Sequence, residues 1–275
     1  MGLRISTNLA ALAATRGLTQ SQRSLDRSMK QLATGNRFSD PSVGAGEFAV
    51  SERLRGQISG VRAGKNNADF AANFIAVAEG GLNEQNNVLI RMRELAIQAA
   101  SDTISDNERE YLNYEFQSLA KEADRIAKTT SFGSQKLLMG EGRTYEFQVG
   151  PFKGEENVVS YTSSTNTTAG ELGVDDLNVE DKDDARDSLE ELDTALNKIA
   201  EARALFASVS SRMIAISNNA GVQIENLTAA QSRLADTDIA EAVAEMTKQQ
   251  VIQEFQTSVL AQSNQTQRSA LKLLS

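Results

Sequence analysis

A few groups of residues in this sequence have types and spacings that could do chemistry. Gly44-x-Gly46-x-x-Ala49 matches, letter by letter, a dinucleotide-binding turn, in which glycines let the backbone approach a pyrophosphate. That chemistry needs a buried strand just before the first glycine, whereas Asn36–Val43 is polar and contains Pro41. No cofactor is therefore expected. Residues 171–193 carry eleven carboxylates against Lys182 and Arg186. Clustered carboxylates can do acid–base work or hold calcium, but no Asp-x-Asp-x-Asp run here has glycine at the sixth position, so an EF-hand is excluded. The block reads instead as the solvated start of a helix, where negative charge suits the dipole. Arg91-Met92-Arg93-Glu94-Leu95 with Gln98 reads as an ordinary exposed helix face with local ion pairs.

The residue types that are absent narrow the chemistry further. Among 275 residues there is no Cys, no His and no Trp. Without Cys there is no disulfide, no thiolate zinc site and no thiol nucleophile. Without His there is no Ser–His–Asp arrangement and no HExxH site. With aromatics at 5%, a large aromatic-lined pocket is not expected either. Catalysis itself is not excluded, but most familiar ways of doing it are, and neither metal nor cofactor is expected.

Charge is unevenly placed. The formal net charge is −9, and the 171–193 block alone accounts for that amount. Residues 1–39 carry Arg4, Arg16, Arg23, Arg27, Lys30 and Arg37 against Asp26. These cations are spaced rather than clustered and have no aromatics between them, so they read as a solvated helix face and not as a nucleic-acid surface. No run of about 18 apolar residues occurs, so no membrane insertion is expected. The first residues, Met1 to Asn8, contain no apolar signal-peptide core. The Met1-Gly2…Ser6 pattern and the sequons at Asn166, Asn226 and Asn264 read as incidental.

The elements that must position these residues are helices. Only two prolines occur, and alanine, the best helix former, occurs 36 times. Leu18, Leu25 and Leu32 stand at sevens within a helix expected over 3–33, with Gly35-Asn36 as its cap. A second helix is expected from Glu47 to about Ala100, with Leu82, Leu89 and Ala96 at sevens. Ser105-Asp106-Asn107-Glu108 is a capping box, and Leu112, Phe116, Leu119, Ala123 and Ile126 form the stripe after it. Between 140 and 163 glycines and Pro151 punctuate two alternating runs, Thr144–Val149 and Asn157–Thr162, which predict a β-hairpin. Ser163–Thr168 is expected to be an exposed loop.

From about Asp184 a stripe runs through Leu189, Leu192, Leu196, Ile199, Phe206, Met213 and Ile216 and continues to Leu234 without a proline. A last helix over Ile239–Leu274 carries a thin stripe, with Ile252, Phe255 and Val259, and is otherwise rich in glutamine. The fold class expected is mainly α: a long antiparallel helical rod or coiled-coil bundle with one small β-hairpin region. Helices with narrow apolar faces are marginal alone. The terminal segments 1–43 and 231–275 are therefore expected to be disordered in the monomer and to order by pairing, around a rod over 44–230.

These residues resemble a family. Ile5-x-Thr7-Asn8-Leu9-x-Ala11, Ser28-Met29-x-x-Leu32-Ala33-Thr34-Gly35-Asn36-Arg37 and Glu52-Arg53-Leu54-Arg55-Gly56-Gln57-Ile58 are similar to successive segments of bacterial flagellins. So are Asn66-Asn67-Ala68-Asp69, Ala78–Glu84, Arg91–Ala99, Asp124-Arg125-Ile126, Phe132–Leu138, Ser232–Ala240, Ala261–Gln265 and the tail Leu271–Leu274. The resemblance covers roughly 1–140 and 184–275, and it departs from the family pattern at Asp40–Gly46. The middle has no room for large outer domains.

The resemblance implies a subunit of the flagellar filament, exported unfolded by the flagellar type III apparatus and assembled outside the cell. A hook–filament junction protein of the same terminal design is the structural alternative. A grafted hydrolase domain would need histidines. The implied partners are other copies of the chain, an export chaperone on the C-terminal segment, and hook-associated and cap proteins. Subunit assembly would fall to Leu18, Leu25, Leu32, Ile252, Phe255 and Val259 in an inner tube. Flagellins sensed by the flagellin-recognising Toll-like receptor use a helix face matching Arg91 and Leu95, with a neighbouring glutamate matching Glu115.

Overall fold

In the computed structural model, residues 8–40 and 44–274 are described. The expected helix start at residue 3 and the connector residues 41–43 lie outside them. Among the described residues the fold is mainly helical, with only two-stranded antiparallel sheets. Helix α1 is Leu9–Thr34, α2 is Ala45–Ala99 and α3 is Asp106–Thr129. The short strands β1 (Ser131–Phe132) and β2 (Gln135–Lys136) pair with each other, as do β3 (Arg143–Gln148) and β4 (Val158–Ser163). A single turn, α4 (Ala169–Leu172), precedes α5 (Lys182–Ala235), and α6 is Ile239–Leu274. The chain divides into two compact units, Gln57–Glu225 and Met1–Gly56 with Asn226–Ser275.

The Gln57–Glu225 unit is built on a repeat legible in the sequence. On α2 the buried row is Ala71, Ile75, Ala78, Leu82, Gln85, Leu89, Met92, Ala96 and Ala99. Its steps of four and three keep one face of the helix inward. On α5 the matching row is Leu192, Ile199, Phe206 and Met213, all at most 1% exposed. Fully burying a side chain of this size stabilises by roughly 1.5–3 kcal/mol, so these rows dominate the fold. Helix α3 contributes Phe116, Ala120, Ala123 and Ala127, while Leu112, Leu119 and Ile126 of the expected stripe are half-buried on its flank. The row is thus rotated toward the alanines, which let the helix backbone approach its neighbours closely.

One residue of the α2 row is polar. Gln85 is fully buried, and its amide donates to the carbonyls of Ala123 and Thr167, both at 2.9 Å. It ties α2, α3 and the chain after β4 together. A similar role falls to Arg109, which is also nearly buried. Its guanidinium donates to the Ala99 carbonyl at 2.8 Å, the Ser101 carbonyl at 3.0 Å and Asp106 at 2.6 Å. The Ala99 carbonyl ends α2 and would otherwise be orphaned, while the Ser101 carbonyl also accepts the Ile104 N–H at 3.5 Å. At the start of α3 the Glu108 carboxylate accepts from the Ser105 N–H at 2.9 Å and its hydroxyl at 2.7 Å, as the capping sequence predicts.

The β-hairpin forms where the alternation predicts it, with Tyr145 opposite Tyr161 and Phe147 opposite Val159. Its inner face packs on Phe74, whose ring lies 5.0 Å from Tyr145, 6.0 Å from Phe147 and 5.6 Å from Phe132. Each such aromatic pair adds about 0.5–1.5 kcal/mol beyond area burial. The Ser163–Thr168 segment is not the exposed loop expected. Ser163 and Thr167 are buried, and the Thr167 N–H donates to the Leu138 carbonyl at 2.9 Å. A Ser/Thr run reads as solvated only while its backbone partners are unknown. The acidic stretch before α5 is likewise fastened: Asn113 donates to Glu180 at 2.8 Å, and Gln117 to the Leu177 carbonyl at 2.6 Å.

Candidate self-assembly surface

The unit made from the two ends of the chain is organised around α1 and α6. Asn8 starts α1 by accepting the Ala11 N–H at 2.9 Å. Gly35 ends it in the left-handed conformation (φ 66°), its N–H on the Gln31 carbonyl at 2.8 Å. Asp238 starts α6 by accepting from Ala240 and Glu241 at 2.9 and 3.2 Å. The turn after α1 is stitched to the turn between α5 and α6. The Arg37 N–H donates to the Ala235 carbonyl at 2.7 Å, and the Thr237 N–H to the Gly35 carbonyl at 3.0 Å. The Phe38 ring is buried edge-on to Phe48, 6.1 Å between centroids.

The seam between α1 and α6 is antiparallel and largely polar. On α1 the buried column is Ala14, Ser21 and Ser28, at sevens. On α6 the most covered column is Ala242, Gln249, Gln256 and Ser263, again at sevens. The Ser21 hydroxyl donates to the Gln249 carbonyl at 2.9 Å and lies 3.0 Å from its side-chain oxygen. The Gln253 amide donates to Gln22 at 2.8 Å, and the Ser263 hydroxyl to Asn8 at 2.9 Å. Gly17 faces the Gln256 side chain so closely that a Cβ there would meet its nitrogen at 2.6 Å. A neutral hydrogen bond contributes about 1 kcal/mol net, well below a buried leucine. The seam therefore specifies more than it stabilises.

Leu18, Leu25 and Leu32 flank this seam, half-buried, and so does Ile252. Phe255 and Val259 do not join them. Phe255 is 68% exposed and Val259 also stands on the outer side. Leu25 and Leu32 do not meet Phe255 or Val259 within one chain, because the antiparallel register sets Ser21 against Gln249 and Gly17 against Gln256, which leaves Leu25 and Leu32 further along the seam from that turn. Leu9, Leu12 and Met29 on α1 and Ile239, Val243 and Val251 on α6 are exposed as well. Sequence reasoning missed the columns at sevens because they consist of Ser, Ala and Gln, types that read as solvent-facing. The spacing of Gln249, Gln256 and Ser263 was the available signal.

The second candidate site lies in the Gln57–Glu225 unit. Arg91 donates to Glu115 through two nitrogens, at 2.9 and 2.8 Å, and to Glu94 at 3.0 Å. Those carboxylates, Glu115 foremost, raise the guanidinium's pKa further. Leu95 does not share this surface. It is 0% exposed and belongs to the core. Here α2 is covered on two sides, as the cross-helix pairs Arg91–Glu115 and Arg93–Asp193 (2.7 Å) record, so the position four residues after Arg91 turns inward. A surface patch of Arg91 with Glu115 remains, already paired with itself. Among the described residues no three metal-ligating side chains converge, and no helix is long and apolar enough to cross a membrane.

Known proteins share this arrangement. Residues 5–142 match the bacterial flagellin N-terminal helical region, and 189–274 match the bacterial flagellin C-terminal helical region. The chain is 32% identical over 270 residues to a flagellin of Halalkalibacterium halodurans, covering 98% of this chain and 99% of that one. It is 34% identical over 286 residues to the flagellar filament 33 kDa core protein of Treponema phagedenis, covering 98% and 99%. The crystal structure of Bacillus cereus flagellin matches with a TM-score of 0.50 at 29% identity, over 56% of this chain and 88% of that one. A putative flagellar hook-associated protein from Vibrio parahaemolyticus matches with a TM-score of 0.59 at 11% identity, over 70% of this chain and all of that one, and so shares the fold alone. With both helical regions matched in order across most of its length, the chain belongs to the bacterial flagellin family.

Proposed function

We infer that this chain is a structural subunit of the bacterial flagellar filament, acting by self-association and without an active site. Family membership at both ends of the chain carries this reading, and the exposed apolar residues on the terminal helix pair support it. Leu9, Leu12 and Met29 on α1, with Val251 and Phe255 on α6, are unpaired within one copy and suit burial against another. The likeness to a hook-associated protein rests on fold alone, so the junction role gains nothing over the filament role.

Finer features follow from this reading. The segments 1–43 and 231–275 form the inner tube and gain their order on assembly, with Leu18, Leu25, Leu32 and Ile252 holding the pair and Phe255 and Val259 meeting neighbours. The chain leaves the cell unfolded through the flagellar type III apparatus, with an export chaperone on its C-terminal segment. Hook-associated and cap proteins bound the polymer. The Arg91–Glu115 surface is the contact for the flagellin-sensing Toll-like receptor in monomer. The test is salting-out of the purified full chain followed by electron microscopy. Long filaments of uniform diameter are expected. Soluble monomer or amorphous precipitate would overturn the reading.

A further inference from the structure

We propose that the hydrogen-bonded residues of the α1–α6 seam act as a register key. They hold the terminal helices in one antiparallel alignment, and so set where Leu9, Leu12 and Met29 stand relative to Val251 and Phe255 on the surface a second copy meets. This rests on the filament reading above. Both helices repeat at seven through the seam: Ala14, Ser21 and Ser28 on one, Ala242, Gln249, Gln256 and Ser263 on the other. Two seven-residue repeats of apolar side chains bury nearly the same area after a slip of one heptad. Polar seam residues remove that degeneracy, because each alternative alignment leaves donors and acceptors unmatched.

The residues present discriminate in both directions. Ser21 donates to Gln249 in the observed register. A slip of one heptad one way sets Ala14, which has no hydroxyl, against Gln249. The opposite slip sets Ser28 against Gln249, so there the discrimination rests on Ser24, whose Cβ would displace the end of the Gln256 side chain at the place of Gly17, and on Asn8, which is carried away from Ser263. The key sacrifices burial for alignment. The Gln256 side-chain oxygen is buried without a partner, a cost that a leucine at that position would not carry.

The chain has no cysteine, so labelled cysteines report only where they are placed. Spin labels at R27C and E241C, both exposed positions in the same unit, measure the alignment of α1 against α6. The labelled full chain is diluted into unlabelled chain of the same seam sequence and salted out. With the native seam a single narrow distance is expected. In S21A/Q249L, which gains apolar burial and helix propensity, a second population appears at longer distance, because labels nearly opposite in the native register move about 10 Å along the axis, one heptad at 1.5 Å per residue. Its filaments lose helical order in electron micrographs. S28A is the control, since Ser28 is equally buried in the same column but forms no side-chain hydrogen bond among the described residues. It should behave as wild type.

A single unchanged distance and wild-type order in S21A/Q249L would overturn the key. Loss of polymer in S21A/Q249L alone, with S28A polymerising, would support it, because a purely packing role predicts better assembly from the apolar seam. If the wild-type chain itself never polymerises, the filament reading fails. The premise of ordering on assembly falls with it, and the distance distributions of the unassembled chains then decide the register.

Discussion

Gly81 is pressed against Thr130. A Cβ on Gly81 would lie 2.5 Å from the threonine hydroxyl oxygen, 2.8 Å from its methyl group and 3.0 Å from Leu138. Its neighbour Gly80 faces open space, with nothing within 4 Å. The pair therefore separates two effects that one substitution usually mixes. Gly80→Ala should stabilise the protein by roughly 0.5–1 kcal/mol through helix propensity. Gly81→Ala should destabilise by about 1–3 kcal/mol, because a β-branched neighbour cannot swing aside. Urea denaturation of both variants checks the signs, and equal shifts would contradict the close approach.

Arg109 should behave as a structural residue despite its charge. Arg109→Met keeps the apolar stem but strands the Ala99 carbonyl at the end of α2 and removes one of two donors to the Ser101 carbonyl. A loss of about 1–3 kcal/mol is expected. Arg109→Lys should recover only part of it, because one ammonium cannot reach both carbonyls and Asp106 as the guanidinium fork does. Hydrogen exchange at residues 95–101 would localise the effect.

Stability should be flat through neutral pH and fall only in acid. With no histidine, no side chain of ordinary pKa titrates between about pH 5 and 8. Several carboxylates lie below their usual range when folded: Asp193 through its hydrogen bond from Arg93, Asp102 through Lys182, Asp69 through Lys65 and then Ser217, and Glu108 through the Ser105 N–H. A carboxylate with a lowered folded pKa contributes stability that is present above its unfolded pKa, near 4, and lost as pH falls through the folded value. Denaturation midpoints measured from pH 8 to pH 2 should hold level and then drop below about pH 4. A step between pH 6 and 8 would be inconsistent with this composition.

Receptor signalling should separate Arg91 from Leu95. Both groups belong to the face matched by resemblance, but only Arg91 reaches the surface. In a reporter-cell assay with monomer, Arg91→Ala should weaken the signal with little change in folding. Leu95→Ala should cost about 2–5 kcal/mol of stability by opening a core cavity. Any loss of signal in that variant should follow its unfolded fraction. Wild-type signal from Arg91→Ala would show that this surface is not the contact.

Much of the fold is written in periodicity. Leu82, Leu89 and Ala96, and Leu192, Ile199, Phe206 and Met213, repeat at helical spacing, so the order of residues alone marks the buried faces of α2 and α5. The alternation at Tyr145, Phe147 and Val149 and the capping residues at 105–108 are equally local signals, and the elements they predict are present. The flagellin resemblance likewise rests on local strings of residues in order. Tertiary structure decided what depends on two elements at once. Leu95 sits beside exposed Arg91 in any helical projection, and only the covering of α2 on two sides turns it inward. Ser21 and Gln249 read as solvent-facing because each is polar. Their burial depends on the opposite helix, 228 residues away along the chain, supplying the partner that makes burial tolerable. A sequence pattern encodes how apolar a position is along its own element, but whether a polar position is covered depends on which group arrives to satisfy it.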